Sequence, residues 1–127
     1  MAQSLNTVAE YVCPGISYMG LNNYGKIMVG DKAFEFYNDR DVNDFIQIPW
    51  EEMTYIIADV RFKRYIPRFA IETKENGTYR FSASKRNREL LRACREHFPP
   101  EKMIRATSAT TNFYNGLKKL FNKARKG

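Results

Sequence analysis

Up to Ser82 the chain alternates apolar and polar positions in short runs broken by turn residues; beyond it the repeat lengthens to that of a helix. Thr7 to Cys13 is mildly β-prone and is expected to stop at Pro14-Gly15, and Asn22-Asn23 reads as a turn ahead of Tyr24-Gly25. Gly25 to Val29 is a short apolar strand, followed by a tight turn at Gly30-Asp31-Lys32. Ala33 to Tyr37 sets Phe34 and Phe36 against Glu35 and Tyr37, the two-residue period of a half-buried strand. Asn38 to Asp44 is a polar, acidic loop, and Phe45 to Ile48 a strand ending at Pro49, which has no N–H for a sheet ladder. Tyr55 to Phe62 is the strongest strand candidate; Tyr65 to Thr73 alternates less regularly. Asn76-Gly77 signals a hairpin, since both residues tolerate positive φ in a type I′ turn, and Thr78 to Ser82 closes it.

From Lys85 to Phe98 the pattern is helical, with Leu90, Leu91, Cys94 and Phe98 on one face and Arg88, Arg92 and Arg95 on the other. Ser84 is the expected N-cap, and Pro99-Pro100 ends the run. Strands followed by a helix predict a mainly β, α+β fold. The expected form is a PH/GRAM-like curled antiparallel sheet, or small barrel, of about seven strands capped by a helix. The boundaries that follow are a β-rich domain over 1–100, a linker over 101–109 and a basic amphipathic helix over 110–127.

The charge balance sharpens that division. The net charge is +7, yet residues 101–127 carry seven Lys/Arg against one acid, while residues 1–100 carry fourteen against thirteen. A nearly neutral body with a cationic tail points to an anionic partner surface for the tail. With Phe113 as origin, Phe113, Tyr114, Leu117, Leu120 and Phe121 share an arc of about 120° with Thr110 and Ala124. Lys118, Lys119, Lys123, Arg125 and Lys126 lie opposite. Such a helix is marginal alone and needs a surface to fold on. That surface is the domain's own core, an anionic membrane or membrane protein, or nucleic acid. The interfacial pattern of basic and bulky apolar residues fits a membrane face. A second basic set, Arg61, Lys63, Arg64 and Arg68, lies across an expected hairpin, where a solvated face is the simplest reading.

Catalytic chemistry has little footing: no nucleophile elbow, phosphate-binding glycine loop or dinucleotide fingerprint occurs. Asp39-x-Asp41-x-x-Asp44 lacks the glycine and terminal glutamate of a calcium loop and reads as a solvated acidic turn. Cys13 and Cys94 have no metal-ligand or redox spacing and read as buried thiols, and Trp50 as a core or rim aromatic. His97, the only histidine, sits beside Phe98 and reads as semi-buried. Neither a signal peptide nor a membrane-spanning run is evident, so a cytoplasmic protein is expected. No metal or cofactor and no enzymatic activity are expected.

Several stretches carry a resemblance: Ser17-Tyr18-Met19-Gly20-Leu21, Tyr24 through Lys32, Phe34 through Asp41, Phe45 through Trp50, and Ile66-Pro67-Arg68-Phe69-Ala70-Ile71. Over residues 5–105 they resemble the ManO-like proteins, small proteins of Gram-positive bacteria encoded beside mannose-class phosphotransferase-system (PTS) permeases. The resemblance implies an accessory protein that binds the integral-membrane subunits of such a permease at the inner membrane face and modulates it. It supplies no catalytic residues. The alternatives are a nucleic-acid-binding regulator and a peripheral anionic-lipid-binding module.

Overall fold

A computed structural model describes residues 3–41 and 43–107. They form strands β1 (Ala9–Ser17), β2 (Asn23–Gly30), β3 (Ala33–Asn38), β4 (Phe45–Pro49), β5 (Met53–Arg61), β6 (Tyr65–Thr73), β7 (Thr78–Ser82) and β8 (Met103–Ala106), with one short helix, α1 (Asn87–Cys94). All eight strands belong to one sheet, in the order β4-β3-β2-β1-β7-β6-β5-β8. The tail helix expected over 110–127 lies outside the described residues, together with its candidate contact residues from Phe113 to Lys126.

The fold is mainly β, as the strand pattern predicts, with two differences. First, there are eight strands rather than seven. Residues 103–106, within the stretch read as a linker, pair parallel to β5, which makes the sheet mixed. Second, the sheet is open, with β4 and β8 as its two edges and no pairing between them among the described residues. It is nevertheless strongly curled. Four strand spacings separate β3 from β6, about 19 Å in a flat sheet. Yet the Phe34 and Phe69 rings lie 5.9 Å apart, and Phe34 and Phe81 4.9 Å. Curling of the sheet brings these inward-facing aromatics together, and Phe36, Ile27, Ile56 and Ile71 complete the fully buried centre. α1 adds Leu90, Leu91 and Cys94 to this core, with Phe98 just beyond. The chain then runs on to β8, so this helix is not the last element. Among the described residues no helix is long and apolar enough to cross a membrane.

Three local expectations are corrected. β1 runs through Pro14-Gly15 instead of stopping there. β7 joins β1 only at Ile16 and Ser17, so at Pro14 the strand has β2 on one side and no strand partner on the other. A proline is tolerated at such a local edge. The β6–β7 turn is not type I′: only Gly77 has positive φ, +79°, and Thr73 closes the loop through N–H and Oγ1 bonds to the Gly77 carbonyl, at 2.9 and 2.7 Å. Nor does Ser84 cap the helix. Buried Asn87 organises that corner, accepting from the Ala83 N–H at 2.6 Å and donating to the Ile66 and Ser84 carbonyls at 2.8 and 2.9 Å. Regular α-helix ends at Cys94, and turns bonded to its carbonyl carry the chain to Phe98.

Glu35 departs furthest from its half-buried expectation. It does point away from Phe34 and Phe36, but the N-terminal segment lies over it and buries it completely. The Leu5 N–H, Asn6 Nδ2 and Gln47 Nε2 donate to its carboxylate at 2.9, 3.0 and 3.0 Å. The Asn6 amide also accepts from the Lys32 and Ala33 N–H groups, at 2.8 and 2.7 Å. Gly30 admits it, since a Cβ there would lie 2.2 Å from Asn6 Cγ. Strand alternation cannot reveal a cover supplied by a segment about thirty residues away in sequence.

Candidate functional site

The connection between β5 and β6 collects the basic set found in the sequence. The two strands pair down to Arg61 opposite Tyr65, leaving Phe62, Lys63 and Arg64 as the turn. The Arg64 N–H bonds the Arg61 carbonyl at 3.2 Å to close it. Phe62 and Lys63 take φ of +52° and +69°, the left-handed region that side chains with a Cβ avoid. No glycine relieves that strain. Two arginines from other elements hold the turn instead: Arg88 of α1 donates to the Arg64 carbonyl, and Arg105 of β8 to the Lys63 carbonyl at 2.7 Å.

The turn presents an aromatic to solvent. Phe62 is 88% exposed and Tyr65 53%. Between Asp59 and Arg68 the chain carries four basic side chains and one acid. That acid, Asp59, faces Arg68 across the strand pair, with ion-pair distances of 3.4 Å to Arg68 and 3.5 Å to Arg61. Arg68 is thus set back along β6 and partly neutralised, while Lys63 and Arg64 flank Phe62 at the tip. An exposed aromatic ringed by cations can enter an apolar or interfacial layer while its neighbours meet anions.

Sequence patterning found Arg61, Lys63, Arg64 and Arg68, and the structure brings the first three together. It missed Phe62, which had the place of a last strand residue, and Arg105, which lay in the expected linker. The available signal was local. In Arg61-Phe62-Lys63-Arg64 the aromatic has bases on both sides, a poor setting for a core residue. Arg105 gave none, because its role depends on β8 lying beside β5.

The other singled-out groups have structural partners. His97 stacks on Trp50, with centroids 5.5 Å apart and planes 19° from parallel, and its Nε2 meets Glu10. Trp50 Nε1 donates to the Gly30 carbonyl at 3.0 Å. Both thiols are free and buried, and burial raises their pKa, which suppresses the reactive thiolate. Tyr11 is pushed up to about 12 by burial and by its hydrogen bond to Glu89. Asp41 and Asp44 hold their own loop, accepting from the Asn43 N–H at 2.9 Å and Asn38 Nδ2 at 2.8 Å. Among the described residues no three His, Cys, Asp or Glu side chains are grouped to hold a metal.

A family model described as a domain of unknown function (DUF956) matches residues 1–117. None of the curated proteins matches the chain in sequence. Among solved structures, the crystal structure of the C-terminal domain of an unknown protein from Leishmania infantum is similar, with a TM-score of 0.61 at 13% identity over 70% of this chain and 82% of that one. At that identity the likeness is one of fold.

Proposed function

The chain belongs to the DUF956 family, and on that premise we propose that it is a non-enzymatic accessory protein that docks at the inner face of a membrane and modulates a permease there. The observation that carries this reading is Phe62, exposed at a strained turn and flanked by Arg61, Lys63 and Arg64. Transfer of a phenylalanine side chain out of water contributes about 1.5–3 kcal/mol. Each basic residue beside anionic lipid adds about 1 kcal/mol. Together these reach about 5 kcal/mol, a dissociation constant of roughly 0.1–1 mM. The tip is thus a weak contact that needs a second one. In this reading the basic amphipathic pattern of residues 110–127 supplies it, through Lys118, Lys119 and Lys123 beside Phe113, Leu117, Leu120 and Phe121.

The ManO-like resemblance supports a permease of the mannose-class phosphotransferase system as the partner in this proposal. We also read the curled sheet as PH/GRAM-like, because β1–β4 and β5–β7 form two successive meanders joined through β1 and β7. Such a sheet holds a loop rigidly at its end, as a docking tip requires.

Co-sedimentation with phosphatidylglycerol vesicles tests the tip, and recovery from detergent-solubilised membranes tests the permease. The wild type is expected to bind phosphatidylglycerol but not phosphatidylcholine vesicles, and Phe62→Asp to lose that binding. It is further expected to retrieve PTS permease subunits. Equal binding of Phe62→Asp removes the tip from the mechanism. Retrieval of no membrane protein, together with steeply salt-dependent binding to nucleic acid, replaces the reading with the regulator alternative.

A further inference from the structure

A groove of about 350 Å³ opens between α1 and β8, and we propose that it is a binding site for a phosphate monoester. Arg88, Arg92 and Arg95 line it from the helix and its C-terminal turn, and Arg105 from β8. Leu91 and Met103 contribute an apolar floor. None of the fourteen Asp and Glu side chains of the chain lines it.

This concentration of cations works against the fold that carries it. Arg88 and Arg92 are four residues apart, and Arg92 and Arg95 three, the spacings at which like charges on a helix repel. α1 spans eight residues and has no side-chain N-cap, so it has little stability in reserve. Its apolar face accounts for Leu90, Leu91 and Cys94, but not for three arginines on one groove wall. A concave surface of one sign concentrates counter-ions. Guanidinium groups select among them, because their planar forks match phosphate oxygens in pairs and stay charged at every physiological pH. A dianionic monoester engages more of these forks than a carboxylate or a phosphodiester. The groove is of the size that holds a small organic ligand, so the body of the ester has room on the apolar floor.

Arg88 and Arg105 serve twice, lining the groove and holding the Arg64 and Lys63 carbonyls of the tip. A bound monoester therefore meets both props of the β5–β6 turn. The groove stands independently of the docking reading, since its argument uses neither Phe62 nor a membrane.

The ester comes from a soluble sugar phosphate or from a monoester lipid headgroup, and two arms separate them. One is calorimetric titration of the full chain with a hexose phosphate, the parent hexose and sulfate. The other is flotation with phosphatidic acid vesicles against phosphatidylglycerol vesicles of equal surface charge. Saturable binding of the hexose phosphate identifies a soluble ligand, and preference for phosphatidic acid alone identifies a lipid. In either case the Arg92→Gln/Arg95→Gln double variant is expected to weaken binding roughly tenfold or more, and Arg92→Lys/Arg95→Lys to recover only part of it. Phe62 does not line the groove, so Phe62→Ala is expected to leave the hexose phosphate affinity unchanged while vesicle binding falls, which separates this site from the tip. The proposal is overturned by no response in both arms, by equal binding of sulfate and hexose phosphate, or by wild-type binding in a folded glutamine double variant.

Discussion

β6 has a turn at each end, and the two are built on opposite principles. At its C-terminal end, Lys74 to Gly77 is polar and carries charges of both signs. Gly77 takes the one left-handed position, and Thr73 satisfies the loop with its own side chain. The turn closes on its own residues, and its one remote bond is a backbone one, from the Lys74 N–H to the Glu52 carbonyl at 3.0 Å. At the N-terminal end, Phe62 and Lys63 take left-handed conformations without a glycine, and the supports come from Arg88 and Arg105, far along the chain. Strain of this kind persists only where surrounding structure over-determines it, and it gathers at functional positions. One turn serves the sheet. The other displays an aromatic.

Gly77→Val breaks the comparison most severely. No heavy atom lies within 4 Å of a Cβ built there, so the whole penalty is conformational. A loss of about 1–3 kcal/mol is expected in chemical denaturation. Phe62→Gly runs the experiment in reverse. It relieves a left-handed non-glycine residue and should leave the fold as stable or up to about 1 kcal/mol more stable, since the added freedom of the unfolded chain offsets part of the relief. Vesicle binding should fall in the same variant. A fold that loses stability there would mean that Phe62 packs in solution and is no display residue. Arg88→Ala with Arg105→Ala gives the smallest global effect, about 0.5 kcal/mol or less for exposed side chains. Amide exchange over residues 62–64 should nevertheless speed up, while residues 74–77 stay as in the wild type.

Much of the sheet was legible because its strands are encoded locally. Tyr65–Thr73 and Thr78–Ser82 match their expected ranges, and β3 ends at Asn38 and β4 begins at Phe45, on either side of the acidic stretch expected as a loop. The failures share one cause. Pro14-Gly15, Glu35 and the stretch around Arg105 were each read from their own neighbours, and in each a remote element decided the outcome. At Ser84 the competitor was Asn87, three residues on but pinned by the Ile66 carbonyl of β6. β7 leaves one side of β1 open at Pro14; Asn6 covers Glu35; Asn87 takes over from Ser84; β5 recruits Met103–Ala106 as a strand. Four apolar-leaning residues after two prolines carry too little periodicity to announce a parallel edge strand.

By itself the sequence determined the β-rich class, the inward face of most strands, the helical face that packs Leu90, Leu91 and Cys94, and the cationic character of residues 61–64. Period and charge are properties of adjacent residues, and they survive any tertiary arrangement. Only the tertiary structure decided that the sheet stays open, that Phe62 is displayed, and that the arginines of α1 and β8 converge on one groove. Those outcomes depend on which distant segments meet when the sheet curls around its aromatic core, and sequence spacing does not encode that meeting.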